Sequence, residues 1–192
     1  MEGRALWDRP MSRAEYDALI DQGVLDTEDR VELLGGRLMV AEPKGADHYT
    51  ATRRIARALE MAFGAGWDVR VEGPIALDDD SEPEPDVAVV RGTLDDYRDA
   101  HPSRPVLTVE VARSSLASDR SIKGSLYARA GLAEYWVLDL ARSVLEVYRD
   151  PVAHPAAPFG WRYASREDID ASGHVTPQAA PGTRIPIARL LP

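Results

Sequence analysis

Val106-Leu107-Thr108-Val109-Glu110-Val111-Ala112 is an apolar run holding a single acid, and its reading decides the fold. A short apolar run bounded by turn signals predicts a buried strand. Side chains alternate along a strand, so Leu107, Val109 and Val111 share one face while Val106, Thr108, Glu110 and Ala112 share the other. A second run of the same kind, Val87-Ala88-Val89-Val90, is opened by Pro85-Asp86. Asp86 shares its face with Ala88 and Val90. A carboxylate in a buried strand is costly unless something pairs with it or neutralises it. Two such acids on neighbouring strands converge on one face, and a divalent cation explains both.

Working outward, residues 11–22 read as a short amphipathic helix, with Ser12 as N-cap, Glu15 three residues on, and Tyr16, Leu19 and Ile20 as the apolar stripe. Two short apolar runs, residues 31–34 and 37–40, flank Gly35-Gly36, which predicts a tight hairpin. A helix starting at Asp47 or Thr50 is expected through Phe63, with Ile55, Ala58, Leu59 and Ala62 at helical spacing and Gly64 as its stop. Strands are expected over residues 67–76, 86–90 and 106–112, then a helix over residues 118–130, then strands over residues 135–138 and 144–148. This order predicts an α/β (α+β) fold, a mixed sheet flanked by helices. From Pro151 the chain is rich in proline and glycine and reads as irregular, with two edge strands near residues 161–164 and 185–191.

Composition narrows the chemistry. A chain of 192 residues is long enough for one domain with a sizeable core. The absence of cysteine excludes disulfides, thiolate metal sites and cysteine nucleophiles. No apolar run approaches membrane-spanning length and the N-terminus lacks a signal-peptide pattern, so a soluble cytoplasmic protein is expected. The net charge of −9 weighs against a general polyanion binder, because such affinity relies on lysine and arginine.

A phosphodiester-cleaving site needs oxygen ligands for a hard cation and a nearby positive charge or base. Magnesium takes about six oxygens at roughly 2.0–2.1 Å and keeps several waters, so two carboxylates suffice. Many nucleases carry a lysine two residues after the second acid, where this chain has Ala112. The next helix along the chain offers a substitute: Asp119, Lys123 and Tyr127 form one stripe beside the apolar stripe of Ile122, Leu126 and Ala130. Lys123 at the edge of the buried face is placed to reach the vacancy beside Ala112.

Pro85-Asp86, Glu110-Val111-Ala112, Ser114-Ser115-Leu116, Asp119, Lys123, Tyr127, Gly131, Glu134-Tyr135-Trp136 and Asp139 together resemble the Uma-two family. That family groups restriction-endonuclease-like proteins of the PD-(D/E)XK superfamily, with the lysine displaced onto the helix. The 30–34 hairpin strand, Pro43-Lys44-Gly45 with His48, residues 82–86 and the closing Gly182, Ile185 and Leu190 fit the same pattern. The resemblance implies a nuclease-like αβββαβ core over residues 47–149, carrying residues 11–40 as an N-terminal helix and hairpin and 151–192 as a C-terminal β extension, all one domain. It implies Asp86, Glu110 and Lys123 as the catalytic set, a Mg²⁺ or Mn²⁺ cofactor on Asp86, Glu110 and the Val111 carbonyl, and Glu32, His48, Asp119 and Tyr127 as accessory positions. Nucleic acid, in the first place DNA, is the implied partner, and a homodimer suits cleavage of both strands. Two residues depart from the pattern: Arg113 replaces a small polar or acidic residue, and Gly35 replaces an aspartate.

Each residue also has a plainer reading. Pro85-Asp86 alone is a turn before a strand, and Glu110 reads equally as half of a buried ion pair. Asp119 and Lys123 alone are a solvated i, i+4 pair, and Asp119 either orients Lys123 or caps the helix. Glu32 is the outward residue of a hairpin strand or a site residue, and His48 a surface or capping residue or a ligand. Asp78-Asp79-Asp80 lacks the spacing of a calcium loop and reads as a solvated turn. Arg53, Arg54 and Arg57 form a basic helix face that is solvated or touches phosphate, and Arg113 binds phosphate or disturbs the metal shell. The alternative to a metal-dependent endonuclease is a catalytically weak nuclease-fold binding or assembly module.

Overall fold

The computed structural model describes residues 9–26, 29–41 and 43–192. Its centre is a six-stranded mixed sheet in the order β3-β4-β5-β6-β7-β8. These are β3 (Trp67–Val71), β4 (Val87–Arg91), β5 (Leu107–Ala112), β6 (Glu134–Asp139), β7 (Val144–Ala153) and β8 (Trp161–Asp170). Neighbours are antiparallel except β5 and β6, which run parallel from Thr108↔Tyr135 to Ala112↔Asp139. A parallel pair cannot be joined by a tight turn, so the chain crosses over through a helical segment. That crossover carries Asp119, Lys123 and Tyr127 onto one face of the sheet.

The other face is covered by α2 (Ala46–Phe63), which ends at Gly64 with φ +68°. Glycine reaches that left-handed conformation at no steric cost, so the helix stops there. Ala51, Ile55 and Leu59 repeat every fourth residue and are fully buried, packed with Val87, Val89, Leu107, Val109 and Trp136. Burying a side chain of Ile or Leu size stabilises by roughly 1.5–3 kcal/mol, so this stripe anchors α2 to the sheet. The helical face has a smaller cluster built on Ala112, Tyr127, Tyr135 and Val137.

Ahead of α2 lie α1 (Arg13–Asp21) and the hairpin β1 (Val31–Leu34) and β2 (Arg37–Val40). Ser12 caps α1 in a full capping box with Glu15, as the sequence predicts. The hairpin turns at Gly35-Gly36, both at positive φ. Leu33 bridges Glu82, which ties the hairpin to the segment leading into Asp86. The sheet, its helices and the hairpin bear out the expected α+β architecture.

Several boundaries differ from expectation. β3 stops at Val71 rather than residue 76, because Glu72 adopts a left-handed φ of +51°. The crossover is not one helix over residues 118–130. It comprises α3 (Leu116–Ser118), a π-turn over Asp119–Lys123 and α4 (Gly124–Arg129). The largest correction concerns the tail. β7 continues through Pro151, and β8 pairs with it along its whole length, from Val144↔Asp170 to Ala153↔Trp161. Pro151 lies beyond the last β6 partner, Arg149, where its missing N–H breaks no ladder with β6. Charged residues such as Arg162, Arg166, Glu167 and Asp168 mask the strand pattern, and they suit an exposed sheet edge. The closing segment forms a two-residue ladder, β9 (His174–Val175) with β10 (Ile185–Pro186), and then a 3₁₀ turn over Ile187–Arg189.

Gly35 has a second role besides the turn. A Cβ built there runs into the Phe159 ring. The Arg129 guanidinium lies 5.0 Å from that ring's centroid, so the ring is held in place. The aspartate of the resembled pattern therefore does not fit unless Phe159 moves. Gly35→Asp is expected to destabilise by about 2 kcal/mol, and Phe159→Ala in the same chain should recover at least half of that. A double-mutant cycle by urea unfolding checks this; additive losses would separate the two positions.

Candidate functional site

The β4–β5 register brings the two acids together. Val87 faces Val109 and Ala88 faces Thr108, so the next step of the antiparallel ladder sets Asp86 opposite Glu110. Opposed residues share a face. Asp86 then meets groups from three other elements. His48, in the first turn of α2, puts Nε2 3.1 Å from Asp86 Oδ2. Lys44, in the loop before α2, puts Nζ 2.8 Å from Asp86 Oδ1 and 2.9 Å from Glu72 Oε1. The Val111 amide donates to Asp86 Oδ2 at 2.7 Å. A strand residue's N–H and C=O point to the same side, so the Val111 carbonyl lies on the Asp86 side of β5.

Glu110 is held from the helical face. Lys123 Nζ donates to Glu110 Oε1 at 3.1 Å and to Glu32 Oε1 at 3.2 Å. The Tyr127 hydroxyl donates to the same Glu110 oxygen at 2.9 Å. Glu32 Oε2 in turn accepts the Glu84 amide at 3.1 Å. The π-turn sets the phase of this segment: the Gly124 amide bonds back to the Asp119 carbonyl, which also accepts the Tyr135 hydroxyl at 3.1 Å. One extra residue in the turn rotates α4 about its axis, and such π-turns are frequent at functional sites. Asp119 is buried and accepts the Ser115 hydroxyl at 2.6 Å, so it is not the solvated partner of a surface pair.

Electrostatics separates the two acids. Burial pushes Asp86 up, but the His48 hydrogen bond and the Lys44 charge outweigh it and hold the carboxyl below its usual range. Burial raises Glu110 well above the ordinary value against the pull of Lys123, and the negative charges of Asp86, Asp119 and Glu32 add to the rise. Asp119 is pushed up to about 6, chiefly by burial. Burial works to lower Lys123, yet Glu110 and Glu32 together raise it, so it stays an ammonium. Acids pushed in opposite directions within one cavity are a mark of sites that handle protons or cations.

These groups line a cavity of about 290 Å³ that also takes in Glu84, Arg113 and the 114–118 turn. Its donor set is carboxylate oxygens, a strand carbonyl and one imidazole nitrogen. That set fits a hard divalent cation of the Mg²⁺ or Mn²⁺ type. His48, Glu72 and Asp86 each offer a ligand atom, and these lie within 4.8 Å of one another.

Of the residues singled out in the sequence, Asp86, Glu110, Lys123, Glu32, His48, Asp119 and Arg113 line this cavity, with Tyr127 directly behind Glu110. Arg113 pairs with Asp47 at the rim. Arg54 and Arg57 lie elsewhere, against residues 183–189, where Arg54 donates to the Leu191 carbonyl. Arg53 is exposed on α2 and does not line the cavity. Asp78 and Asp80 are bound by Arg129, at 2.7 and 2.5 Å.

Sequence reasoning assigned no role to Lys44 and Glu72. Lys44 belongs to the Pro43-Lys44-Gly45 segment that fits the family pattern, but a lysine in a polar loop and an acid after a strand are solvated by default. The signal was global. Of 23 lysines and arginines, two are lysine, Lys44 and Lys123, and both point to this cavity.

Known proteins share this architecture. The Uma2 family, described as "Putative restriction endonuclease", matches residues 13–172. No curated protein matches the chain. A crystal structure described as a putative nuclease belonging to DUF820, from Anabaena variabilis, superposes with a TM-score of 0.70. The match covers 94% of this chain and 97% of that one at 16% identity, a likeness of fold. No described helix is long and apolar enough to cross a membrane.

Replacing Lys123 tests the buried charge balance. Lys123→Met leaves Glu32 and Glu110 without their shared counter-charge, and a loss of about 3 kcal/mol is expected at pH 8. Because Glu110 has a raised pKa, it keeps its proton at lower pH and the repulsion fades. The loss should therefore be smaller at pH 5. Urea unfolding of both proteins at the two pH values measures this, and equal losses would mean the two acids do not respond to Lys123.

Proposed function

This chain belongs to the Uma2 family, and from that premise we propose that it is a metal-dependent endonuclease acting on phosphodiester bonds, with DNA as its substrate. One observation carries the reading: two acids with opposite pKa displacements face each other across β4 and β5, with a buried ammonium beside them. Asp86, Glu110 and the Val111 carbonyl would hold Mg²⁺ or Mn²⁺. When bound, such an ion lowers the pKa of its water and offsets charge on the transferring phosphate.

The chain's own groups do the rest. Lys123 holds its proton and sits against Glu110, where it offsets developing negative charge or orients a water. Tyr127 fixes the Glu110 carboxylate by donating to the oxygen that Lys123 also contacts. His48 and the Val111 amide fix one oxygen of Asp86 and so set its direction. Arg113, exposed at the rim beside Asp47, is placed to meet a phosphate entering the cavity. Cutting both strands of a duplex needs two such cavities, which a homodimer supplies.

The test is cleavage of plasmid and single-stranded DNA with Mg²⁺ or Mn²⁺. Asp86→Ala, Glu110→Ala and Lys123→Ala should each lower the rate by a factor on the order of 10²–10³, with chelation abolishing it. Cleavage that survives Asp86→Ala would place the chemistry elsewhere. A wild-type protein that binds DNA without cutting it under any of these conditions would instead favour the binding-module alternative.

A further inference from the structure

We infer that Lys44 is a tethered counter-ion. Its ammonium keeps the place of a divalent cation among Asp86, Glu72 and His48, and it must leave when the ion enters. The inference rests on the metal-dependent reading of this cavity. Lys44 Nζ lies 2.8 Å from Asp86 Oδ1 and 2.9 Å from Glu72 Oε1. His48 Nε2 holds the second oxygen of the same aspartate at 3.1 Å. The ligand atoms of these three residues lie within 4.8 Å of one another, so a small closing movement would let one cation touch all of them.

Glu72 is brought there by the backbone. It sits at φ +51°, where non-glycine residues are uncommon, and its amide bonds the Asp86 carbonyl at 3.1 Å. Asp86, deeply buried, therefore has its charge matched on one side by a lysine whose side chain is 29% exposed. That lysine comes from a loop and carries a flexible four-carbon stem, so it can retreat into solvent without disturbing the sheet. An ammonium and a dication cannot both sit against Asp86 Oδ1 in so poorly screened a place. Exchange of one for the other keeps the buried carboxylate neutralised throughout. It also delivers a free ammonium to the cavity mouth at the moment the ion is in place, which is where an incoming phosphate arrives. Glu72, absent from the ligand set read in the sequence, becomes a ligand in this scheme.

Two measurements on the full chain test this, neither of them dependent on turnover. The first is calorimetric titration with Mn²⁺ of the wild type, Lys44→Met, Glu72→Gln and Asp86→Ala. Lys44→Met should bind at least tenfold tighter than wild type, Glu72→Gln weaker, and Asp86→Ala not measurably. The second is acylation of wild-type lysines by an N-hydroxysuccinimide ester, read by peptide mass. Lys44 should become several-fold more reactive when Mn²⁺ is added, its labelled fraction being read against the unlabelled Lys44 peptide. Asp86-dependent binding that is no tighter in Lys44→Met, or Lys44 labelling unchanged by Mn²⁺, overturns the counter-ion role alone. Absence of any Asp86-dependent binding in wild type and Lys44→Met overturns the metal reading on which it rests.

Discussion

Desolvated negative charge at one end of the sheet is the constraint on which the rest of this structure depends. Glu32, Asp86, Glu110 and Asp119 are all buried there. A buried carboxylate needs a counter-charge or a proton, and the protein has two ways of supplying one. Elsewhere it uses arginine. Glu134 takes two hydrogen bonds from Arg149, at 3.0 and 2.6 Å, and Glu146 is bracketed by Arg120 and Arg166. Those forks are planar and permanent, as suits ion pairs whose purpose is to hold β6, β7 and β8 together. At the cavity, Asp86 and Glu110 are met among the described residues by lysine, imidazole, a tyrosine hydroxyl and one backbone amide instead.

That difference has a consequence for geometry. A lysine supplies a point charge without dictating the plane of its partner, so Asp86 and Glu110 remain open to a further cation in the cavity they share. The scaffold fixes them by other means. The acid pair is reached from both layers of the fold: α2 presents His48 to Asp86, and the crossover helix carries Lys123 to Glu110. The tyrosine stack behind Glu110, with Tyr127 and Tyr135 ring centroids 5.0 Å apart, backs the acid with rigid apolar surface. The same stack steadies the π-turn through the Tyr135 hydroxyl. Sheet register, π-turn and aromatic backing thus converge on the same few carboxylate oxygens.

The sheet and much of this cavity were legible because they depend on short-range pattern. Alternation along Val106–Ala112 put Glu110 on the Ala112 side of its strand, which is the side the crossover helix covers. Helical spacing grouped Asp119, Lys123 and Tyr127, although it missed the π-turn, because a single inserted residue leaves i, i+4 spacing nearly intact in sequence. Features set by long-range geometry were invisible. Lys44 reads as a loop lysine, and only folding brings it within reach of Glu72 and Asp86, 28 and 42 residues away. β8 reads in sequence only as a short edge strand near residues 161–164, for a different reason. It is held by pairing with β7 and not by burial of its own side chains, so it carries no apolar period to read. The basic face of Arg53, Arg54 and Arg57 is a different case. A cluster that is genuine in sequence lies on a part of α2 that does not line the cavity.

The net charge of −9 weighs against nucleic-acid binding only while charge is treated as uniform. Locally the imbalance is sharper. Glu32, Asp47, Glu84, Asp86, Glu110 and Asp119 line the cavity against Lys44, Lys123 and Arg113, and Asp47 and Arg113 already satisfy each other. Burial and mutual repulsion raise the pKa values of Glu84, Glu110 and Asp119, so these acids hold their charge less readily than free carboxylates. As folded, then, the cavity repels an anion and attracts a cation. For a phosphodiester, a bound dication would cancel two of those charges at the point of entry. On the proposed reading, the acidity that counts against a nuclease at first sight is the property that would bring a dication in ahead of the substrate.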